Sequence, residues 1–425
     1  MPAFDLLVCN ASEVLTLAGD PADGPDRALS PIASGVVGIA NGRIAYLGSE
    51  ADLPADAVGE RTQRLDAAGG FVGPGFVDPH THLVFAGDRA AEFELRCGGA
   101  TYLEIARAGG GIASTVRATR AASEDELVAL GSRRLRALLE QGVTCAEVKS
   151  GYGLDLAQEL KMLRAVRRLA SVQPIELVPT LLCAHAIPEE WRSQREGYVR
   201  LCAEQIVPGV ADAGLARFCD AFVEDGAFTR DEARRILRAA ASFGLAPKLH
   251  ADQLSDGRGA ELAAELGAAS ADHLERVSEP GIDALAAADV VAVLMPTTTL
   301  FLRHRPFAPG RRLLDAGVRV ALATNFNPGS AMSENVALTL GLACLENGLT
   351  PSEAYWGLTR GAALALRRSD LGHLAIGATA DLAVFRCRSH HHLPYHLGVN
   401  HVRYVVKSGR VVVRGDADAN LCDAA

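Results

Sequence analysis

The 425-residue sequence lacks the patterns that mark secreted, membrane-spanning and disulfide-bonded proteins. No basic stretch precedes an apolar run near the start of the chain, so we expect no secretory signal. No uninterrupted apolar run reaches the ~18 residues that a membrane helix needs. The nine cysteines are odd in number, form no C-x-x-C pair and mostly have apolar neighbours. We therefore predict buried free thiols in a reducing compartment, and a cytoplasmic protein.

The sequence also has no excess of positively charged residues. The formal net charge is -9, with 49% apolar and 22% charged residues, which is ordinary for a globular enzyme. An acidic chain gains nothing from a phosphate backbone. We therefore expect a small-molecule substrate as partner and neither nucleic acid nor a membrane, and a homodimer is the default expectation for the assembly.

Short apolar runs at both ends of the chain predict β-strands. FDLLVCN and EVLTL come first, a polar loop is predicted from Gly19 to Pro31, and Asn41-Gly42 predicts a tight hairpin turn. The tail repeats this style with ADLAVFR and a hairpin that turns at Ser408-Gly409. Each end is too small to fold alone. We therefore predict one composite β-sandwich domain, built from residues 1–70 and 374–425.

The central part of the chain alternates apolar strands with helices rich in Ala, Arg and Glu. The clearest strands are GVTCAEV, IELVPTLLCA, FCDAFVE, LAPKLHA, AASADHL, VVAVLMP and VRVALAT. Repeated strand–helix units with continuously apolar strands indicate a parallel sheet, and about eight such units indicate a closed (β/α)8 TIM-like barrel. We predict this barrel for residues 71–373. A doubly wound open sheet is the weaker alternative, because no G-x-G-x-x-G follows the first strand.

Histidines lie at the ends of several predicted barrel strands. In GFVGPGFVDPHTHLVF, His80 and His82 share one strand face about 6.6 Å apart, while His185, His250 and His273 end other strands. A single histidine of this kind is more often a core or rim residue. In a barrel, however, all these strand ends gather around one cavity. Three imidazoles with a water-accessible position are typical of a catalytic zinc or iron site.

Longer segments resemble one family. The H-T-H motif and the segments EVKSGYGLD (147–155), HADQLS (250–255), GAELAAELGAASADHLE (259–275), NPG (327–329) and HLPYHLGVN (392–400) resemble imidazolonepropionases, of the amidohydrolase superfamily. The resemblance runs from about Gly35 to Val412. It implies hydrolysis of the cyclic amide C–N bond of 4-imidazolone-5-propanoate to N-formimidoyl-L-glutamate in histidine degradation, by a metal-activated water. One Zn²⁺ or Fe³⁺ per subunit is implied.

The resemblance also implies roles for individual residues. Metal ligands fall on His80, His82, His250 and Asn325. Substrate contacts fall on Arg89, Tyr152, His185, Gln253, Asn327, Gly329 and Ser330. Independently of the family, the planar guanidinium of Arg89 suits the propionate carboxylate, although a surface ion pair is the plainer interpretation. His185 and the ion would stabilise the oxyanion, and His273 would transfer a proton.

Asn325 departs from the family, which has Asp at this position. Its carbonyl oxygen can touch an ion, but the neutral amide cannot accept a proton. Three explanations stay open: an engineered substitution, a natural active enzyme that uses His273 as base, or a homologue that binds without turnover. Gln253 cannot act as a base either, so His273 is the best remaining proton acceptor.

Two further questions stay open at this point. Another cyclic amidohydrolase or deaminase, acting on a hydantoin, cytosine or triazine, is the runner-up function, and a non-catalytic ligand-binding homologue is the third. Lys149 ends an apolar strand. It could be carbamylated to bridge two metals, as in some members of the superfamily, but a structural role is favoured because the family resembled uses one metal.

Overall fold

The computed structural model describes residues 3–19, 25–54, 56–100, 104 and 109–415. The end of the predicted C-terminal sandwich segment, including Cys422, lies outside the described residues. No helix among those described is both long enough and apolar enough to cross a membrane.

Eighteen strands are assigned in the described chain. The first seven are β1 Leu6–Cys9, β2 Glu13–Leu15, β3 Pro31–Ala33, β4 Gly35–Ala40, β5 Arg43–Ser49, β6 Gln63–Asp66 and β7 Val72–Pro74. The next eight are β8 Phe76–Asp78, β9 Val143–Lys149, β10 Glu176–Ala184, β11 Phe218–Val223, β12 Ala246–Ala251, β13 Ser270–His273, β14 Val291–Leu294 and β15 Val320–Leu322. The last three are β16 Leu382–Phe385, β17 Val402–Lys407 and β18 Arg410–Arg414.

The α-helices mostly alternate with the middle strands. Their bounds are Pro25–Leu29, Ala90–Cys97, Ile112–Ala121, Glu124–Glu140, Leu156–Val172, Arg195–Leu201, Val207–Asp212, Arg230–Ser242, Gly259–Glu265, Glu279–Ala288, Pro296–Phe301, Gly310–Asp315, Val336–Glu346, Pro351–Trp356, Ala362–Ala365 and His392–Tyr395. A 3₁₀ turn and two π turns complete the set: Glu189–Trp191, Cys202–Ile206 and Gly357–Gly361. Reciprocal capping boxes begin three of the helices, at Ser123, Thr229 and Thr350.

Strands β8 to β15 form the barrel predicted from the sequence. They lie in sequence order in one eight-stranded sheet, and each neighbouring pair is parallel. The first and last strands meet just beyond their ends, where Asn325 N donates to His80 O at 3.1 Å and His82 N donates to Phe326 O at 3.0 Å. The carboxyl ends of all eight strands therefore surround one mouth, and the predicted (β/α)8 fold is confirmed.

The remaining strands form two sheets that face each other. One has the order β5-β4-β1-β6, and the other has the order β18-β17-β16-β7-β2-β3 and joins both ends of the chain. Side chains such as Val8, Ile39, Val72, Leu382 and Val406 pack into a common buried cluster between them. The composite sandwich is thus present. Its exact bounds stay a prediction.

The two predicted hairpin turns are confirmed, whereas the first loop is only partly a loop. Asn41 and Gly42 have φ of 53° and 75°, and Ser408 and Gly409 have 49° and 75°, so both turns use the left-handed backbone that a type I′ turn requires. Between Gly19 and Pro31, however, a short helix forms over Pro25–Leu29. Proline is well suited to the first helical position, because its φ is already helical and its missing N–H is not needed there.

Candidate active site

Three histidine side chains converge at the mouth of the barrel. His80 Nε2 lies 3.1 Å from His82 Nε2, and His82 Nε2 lies 3.3 Å from His250 Nε2. Nitrogen ligands at 2.0–2.1 Å from a tetrahedral zinc lie about 3.3 Å from one another. The spacing of these three nitrogens therefore fits one shared ion. His80 and His82 follow the end of β8 instead of lying within it, and their ring centroids lie 5.1 Å apart.

Two buried carboxylates fix the orientation of these rings. Asp272 Oδ2 lies 2.6 Å from His80 Nδ1, and Asp220 Oδ2 lies 3.0 Å from His250 Nδ1. An ionised carboxylate only accepts hydrogen bonds, so Nδ1 of His80 carries the proton and its Nε2 presents its lone pair. The ion-pair distance to Asp220 favours the same tautomer for His250. Such carboxylates commonly orient metal-binding imidazoles and increase their basicity.

The imidazoles are in the state that a cation needs. Burial, reinforced by nearby cationic groups, lowers the pKa of His80 and His82 well below the ordinary value. Burial also lowers the pKa of His250. The rings are therefore neutral and available as ligands.

Asn325 offers a further oxygen atom to an ion at the histidine cluster. Its Nδ2 donates to Thr298 Oγ1 at 2.9 Å, whereas its buried Oδ1 has no hydrogen-bond partner among the described residues. Its backbone N donates to His80 O, which places residue 325 beside a predicted ligand. A buried carbonyl oxygen without a partner is costly unless something else binds it. A divalent cation fits this donor set.

Two lysines lie below the histidine cluster. Lys149 and Lys248 are fully buried, and both ammonium groups lie 2.9 Å from Glu147 Oε2. Lys149 also lies 2.7 Å from Asp220 Oδ2. Although burial opposes its charged form, Asp220, Glu147 and Asp272 raise the pKa of Lys149. A carbamate at Lys149 would add negative charge beside these carboxylates, so the structure favours the structural role for this residue.

His273 lies beside the cluster on an unusual backbone. Its ring centroid is 5.7 Å from that of His80 and 5.3 Å from that of His250. Its φ is 86°, and the next residue, Leu274, has a φ of 70°. Residues in this region cost energy and are often found at functional sites. His273 Nδ1 is buried, has no hydrogen-bond partner within the described part of the chain, and lies 3.9 Å from Glu275 Oε1.

Tyr152 and His185 form one wall of the pocket. The ring centroids of His185 and His82 lie 5.1 Å apart and nearly parallel, and those of Tyr152 and His185 lie 5.4 Å apart. His185 Nδ1 lies 3.0 Å from the carbonyl oxygen of Gly151. Because a carbonyl only accepts, Nδ1 carries the proton and Nε2 of the neutral ring is an acceptor. Burial lowers the pKa of His185 to about 3, which favours that neutral ring.

The predicted substrate contacts after β15 are brought together with Arg89. A side chain on Gly329 would lie 2.1 Å from Arg89 Nη1, so the guanidinium occupies the space that this glycine leaves. Arg89 Nε donates to Glu92 Oε2 at 2.7 Å. Arg89 therefore does form an ion pair, as its plainer interpretation from the sequence expected. Asn327 Oδ1 accepts from the backbone N of Gly329 and of Ser330, each at 2.8 Å. In this structure, Asn327 and Arg89 therefore make contacts within the protein that stabilise the loop after β15.

Gln253 lies, half-buried, on the loop that follows β12, three positions after His250. Its position on the barrel mouth agrees with the predicted contact to substrate.

Several residues of the site were not predicted from the sequence. Asp220, Asp272, Glu147 and Lys248 support the histidines from inside the barrel, and Glu275 faces His273. A signal did exist. A charged residue in a continuously apolar strand must have a buried partner, because burying an unpaired charge costs far too much. FCDAF, APKLH and ASADH each carry such a residue.

Comparison with known proteins shows which family this chain resembles. A model of the amidohydrolase family matches residues 99–413. The chain is 68% identical to the imidazolonepropionase of Myxococcus xanthus (strain DK1622), over 97% of this chain and 98% of the relative. It is 55% identical to the imidazolonepropionase of Anaeromyxobacter sp. (strain K), over 93% of this chain and 94% of the relative.

Solved structures share the fold at low identity. A 5-methylcytosine deaminase from Klebsiella pneumoniae superposes with a TM-score of 0.75 at 17% identity, covering 97% of this chain and 98% of that chain. A guanine deaminase from E. coli gives 0.72 at 16% identity, covering 96% and 99%. At this identity, the likeness concerns the fold alone.

Proposed function

We propose the following reaction for a chain that belongs to the amidohydrolase family and, within it, to the imidazolonepropionases. The substrate is 4-imidazolone-5-propanoate. Water cleaves the cyclic amide C–N bond of its ring, and the product is N-formimidoyl-L-glutamate, an intermediate of histidine degradation. The observation that carries this proposal is the convergence of three imidazole Nε2 atoms at the barrel mouth.

His80, His82 and His250 would hold one ion, with the Oδ1 atom of Asn325 as a further oxygen ligand. When bound, such an ion lowers the pKa of a water molecule and polarises a carbonyl. Zn²⁺ and Fe³⁺ both suit this set of ligands, and either is consistent with the donor atoms. The carboxylates Asp220 and Asp272 keep the imidazoles in the ligand tautomer.

Arg89 would bind the propionate group. Its Nε is held by Glu92, and its Nη1 lies against Gly329, so the guanidinium is fixed before substrate arrives. A guanidinium matches a carboxylate with two parallel hydrogen bonds. Tyr152, which is buried beside His185, would form the adjacent wall, where a ring can pack on the planar imidazolone.

The role of His185 needs revision from oxyanion donor to ring acceptor. With Nδ1–H donated to Gly151, the neutral ring has no proton on Nε2 to give to an oxyanion. An imidazolone ring carries N–H donors, and Nε2 can accept one of them. We therefore propose that His185 orients the substrate ring, leaving charge stabilisation at the carbonyl to the ion.

His273 would transfer the proton to the leaving ring nitrogen. It is the described imidazole that lies against His80 and His250 yet is not one of the three converging ligands. Asn325 can hold an ion or water but cannot take a proton, so His273 would also act as base. A positioned acid or base of this kind typically contributes about 10²–10⁴-fold in rate.

Steady-state kinetics on the metal-loaded protein test the proposal. We expect the highest kcat/KM with 4-imidazolone-5-propanoate, against hydantoin, cytosine and triazine substrates. Arg89→Ala should raise KM for the propanoate substrate but not for an imidazolone that lacks the propanoate chain. A higher kcat/KM for another ring would indicate another amidohydrolase. Tight binding without turnover would indicate a ligand-binding homologue.

Other features stay proposals. The eight described cysteines are free thiols, and six of them are buried, while Cys97 is exposed and Cys344 is intermediate. This agrees with a reducing compartment such as the cytoplasm. The homodimer and the domain bounds 1–70 plus 374–425 and 71–373 are further proposals, for which sedimentation and limited proteolysis are the direct tests.

A further inference from the structure

The described residues contain two groups of side chains with metal-binding atoms, and they share one histidine. The first is His80, His82 and His250. The second is His80, Glu147 and Asp272, whose ligand atoms also lie within 4.8 Å of one another. His80 faces the first group through Nε2 and the second through Nδ1. This geometry resembles a centre for two cations that are bridged by one imidazole.

The second group, however, already has cations beside it. Lys248 Nζ lies 2.9 Å from Glu147 Oε2, 2.9 Å from the carbonyl oxygen of Pro79 and 4.0 Å from Asp272 Oδ2. Lys149 Nζ approaches the same carboxylates, at 2.9 Å from Glu147 and 3.7 Å from Asp272. Every one of these side chains is fully buried. The two ammonium groups therefore occupy the space and balance the charge that a second ion would require.

The charge count supports this interpretation. Lys149 and Lys248 face three carboxylates, those of Glu147, Asp220 and Asp272. With all three carboxyls ionised and both lysines protonated, the set carries one net negative charge, which favours a cation at the adjacent histidine cluster. A further dication among these groups would meet two fixed positive charges at short range, in a medium where Coulomb repulsion is weakly screened.

We propose that Lys149 and Lys248 act as resident cations in place of a second metal ion, and that they hold the centre to one ion per chain. This inference rests on the proposed metal-dependent function. It makes both lysines positioning residues. They fix Glu147, Asp220 and Asp272, and through the two aspartates they fix His80 and His250.

Three substitutions of Lys248 distinguish the effect of its positive charge from the effect of the space that its side chain fills. Lys248→Ala and Lys248→Gln remove the ammonium group and leave oxygen atoms of Glu147, Asp272 and Pro79 around the vacated position. Oxygen ligands of this kind suit Mn²⁺. Lys248→Met also removes the charge, but it fills the volume with an apolar side chain and is the matched control.

Apoprotein prepared with a chelator is dialysed against Mn²⁺, and bound metal is counted by elemental analysis. We expect one ion in the wild type and in Lys248→Met, and two in Lys248→Ala and Lys248→Gln. The electron paramagnetic resonance spectrum of the last two should show an exchange-coupled manganese pair, which a purely structural role for Lys248 would not produce.

The outcomes distinguish this inference from the proposed function. A wild type that binds no metal contradicts the proposed function. A wild type that binds two ions overturns the inference alone, as do folded Ala and Gln variants that bind only one. If those variants unfold easily, excess Mn²⁺ should raise their Tm more than that of the wild type, and equal shifts would overturn the inference.

Discussion

Asn325 places a neutral amide where the family resemblance implies an aspartate of nearly the same shape. The side chain reaches Thr298 with its amide nitrogen and leaves its oxygen unpaired among the described residues. Its φ of 53° is a left-handed conformation that asparagine tolerates better than most residues. The position can thus accommodate an aspartate without rearrangement, because the Thr298 hydroxyl can donate as well as accept.

Asn325→Asp should therefore increase kcat if a missing proton acceptor limits the rate, by up to about 10²–10⁴-fold. The measurement is kcat with 4-imidazolone-5-propanoate at equal metal content. Asn325→Ser, which is smaller and also cannot take a proton at neutral pH, is the control and should give no gain. An unchanged kcat in Asn325→Asp would mean that His273 already acts as the base, and His273→Gln should then abolish turnover in both backgrounds.

Asp272 would act on the proposed ion through His80, whose Nδ1 it contacts. Replacing its carboxylate by an amide, Asp272→Asn, weakens the acceptor for His80 Nδ1 and removes a negative charge near two buried lysines. Loss of such a supporting group typically lowers metal affinity about 10–100-fold. Competition with a chelator measures this. Asp381→Asn, at a carboxylate that binds Lys407 and Ser408 in the sandwich, should leave affinity unchanged. Equal affinities in both variants would contradict the role of Asp272.

At the scale of elements, the loop after β9 depends on one carboxylate. Glu159, in the helix Leu156–Val172, is fully buried and accepts from the backbone N of Gly151 at 3.1 Å, Gly153 at 2.9 Å and Leu154 at 2.7 Å. The same loop carries Tyr152 and presents the Gly151 carbonyl to His185. Glu159 would therefore position the proposed substrate wall by holding the backbone of this loop.

Glu159→Gln would turn an amide NH₂ toward a backbone N–H and leave one donor unpaired, at a cost of about 1–3 kcal/mol. We expect a higher KM for the imidazolone substrate, with metal content unchanged. Asp381→Asn again provides the control, since it should reduce stability without changing KM. A loss of stability with an unaltered KM in Glu159→Gln would limit Glu159 to a structural role.

The strands and the turns were the elements best predicted from sequence, because their signals are local. Asn41-Gly42 and Ser408-Gly409 carry the positive φ that their turns need, and apolar runs define the barrel strands. The histidines followed from strand ends alone. Glu159 did not, since its partners are backbone N–H groups that no side-chain pattern reveals. The ammonium groups of Lys149 and Lys248 likewise require three-dimensional proximity between separate strands.

At the scale of the whole molecule, the sandwich joins the two ends of the chain beside the barrel. Strand β7 pairs with both β2 and β16, and it lies one residue before barrel strand β8. Val402 and Phe385 of the sandwich belong to the same buried cluster as barrel side chains. Stability of this junction therefore affects the folded state as a whole.

His401, next to β17, makes that junction sensitive to acid. The ring is buried, and neither nitrogen has a hydrogen-bond partner among the described residues. Burial, with His396, His392 and Arg386 nearby, lowers its pKa to about 4. An unfolded histidine titrates near 6.5, so between these values the unfolded chain binds a proton that the folded chain does not. We therefore expect stability to fall as pH decreases through this window.

His401→Gln removes this titration. The free energy of unfolding, measured in denaturant from pH 7 to pH 4.5 on apoprotein, should decrease less steeply in the variant than in the wild type, because the ionisable group that distinguishes them is gone. His304→Gln, at an exposed histidine, is the matched control and should keep the wild-type slope. Equal slopes in all three proteins would mean that folding leaves the pKa of His401 unchanged, and that other groups cause the acid sensitivity.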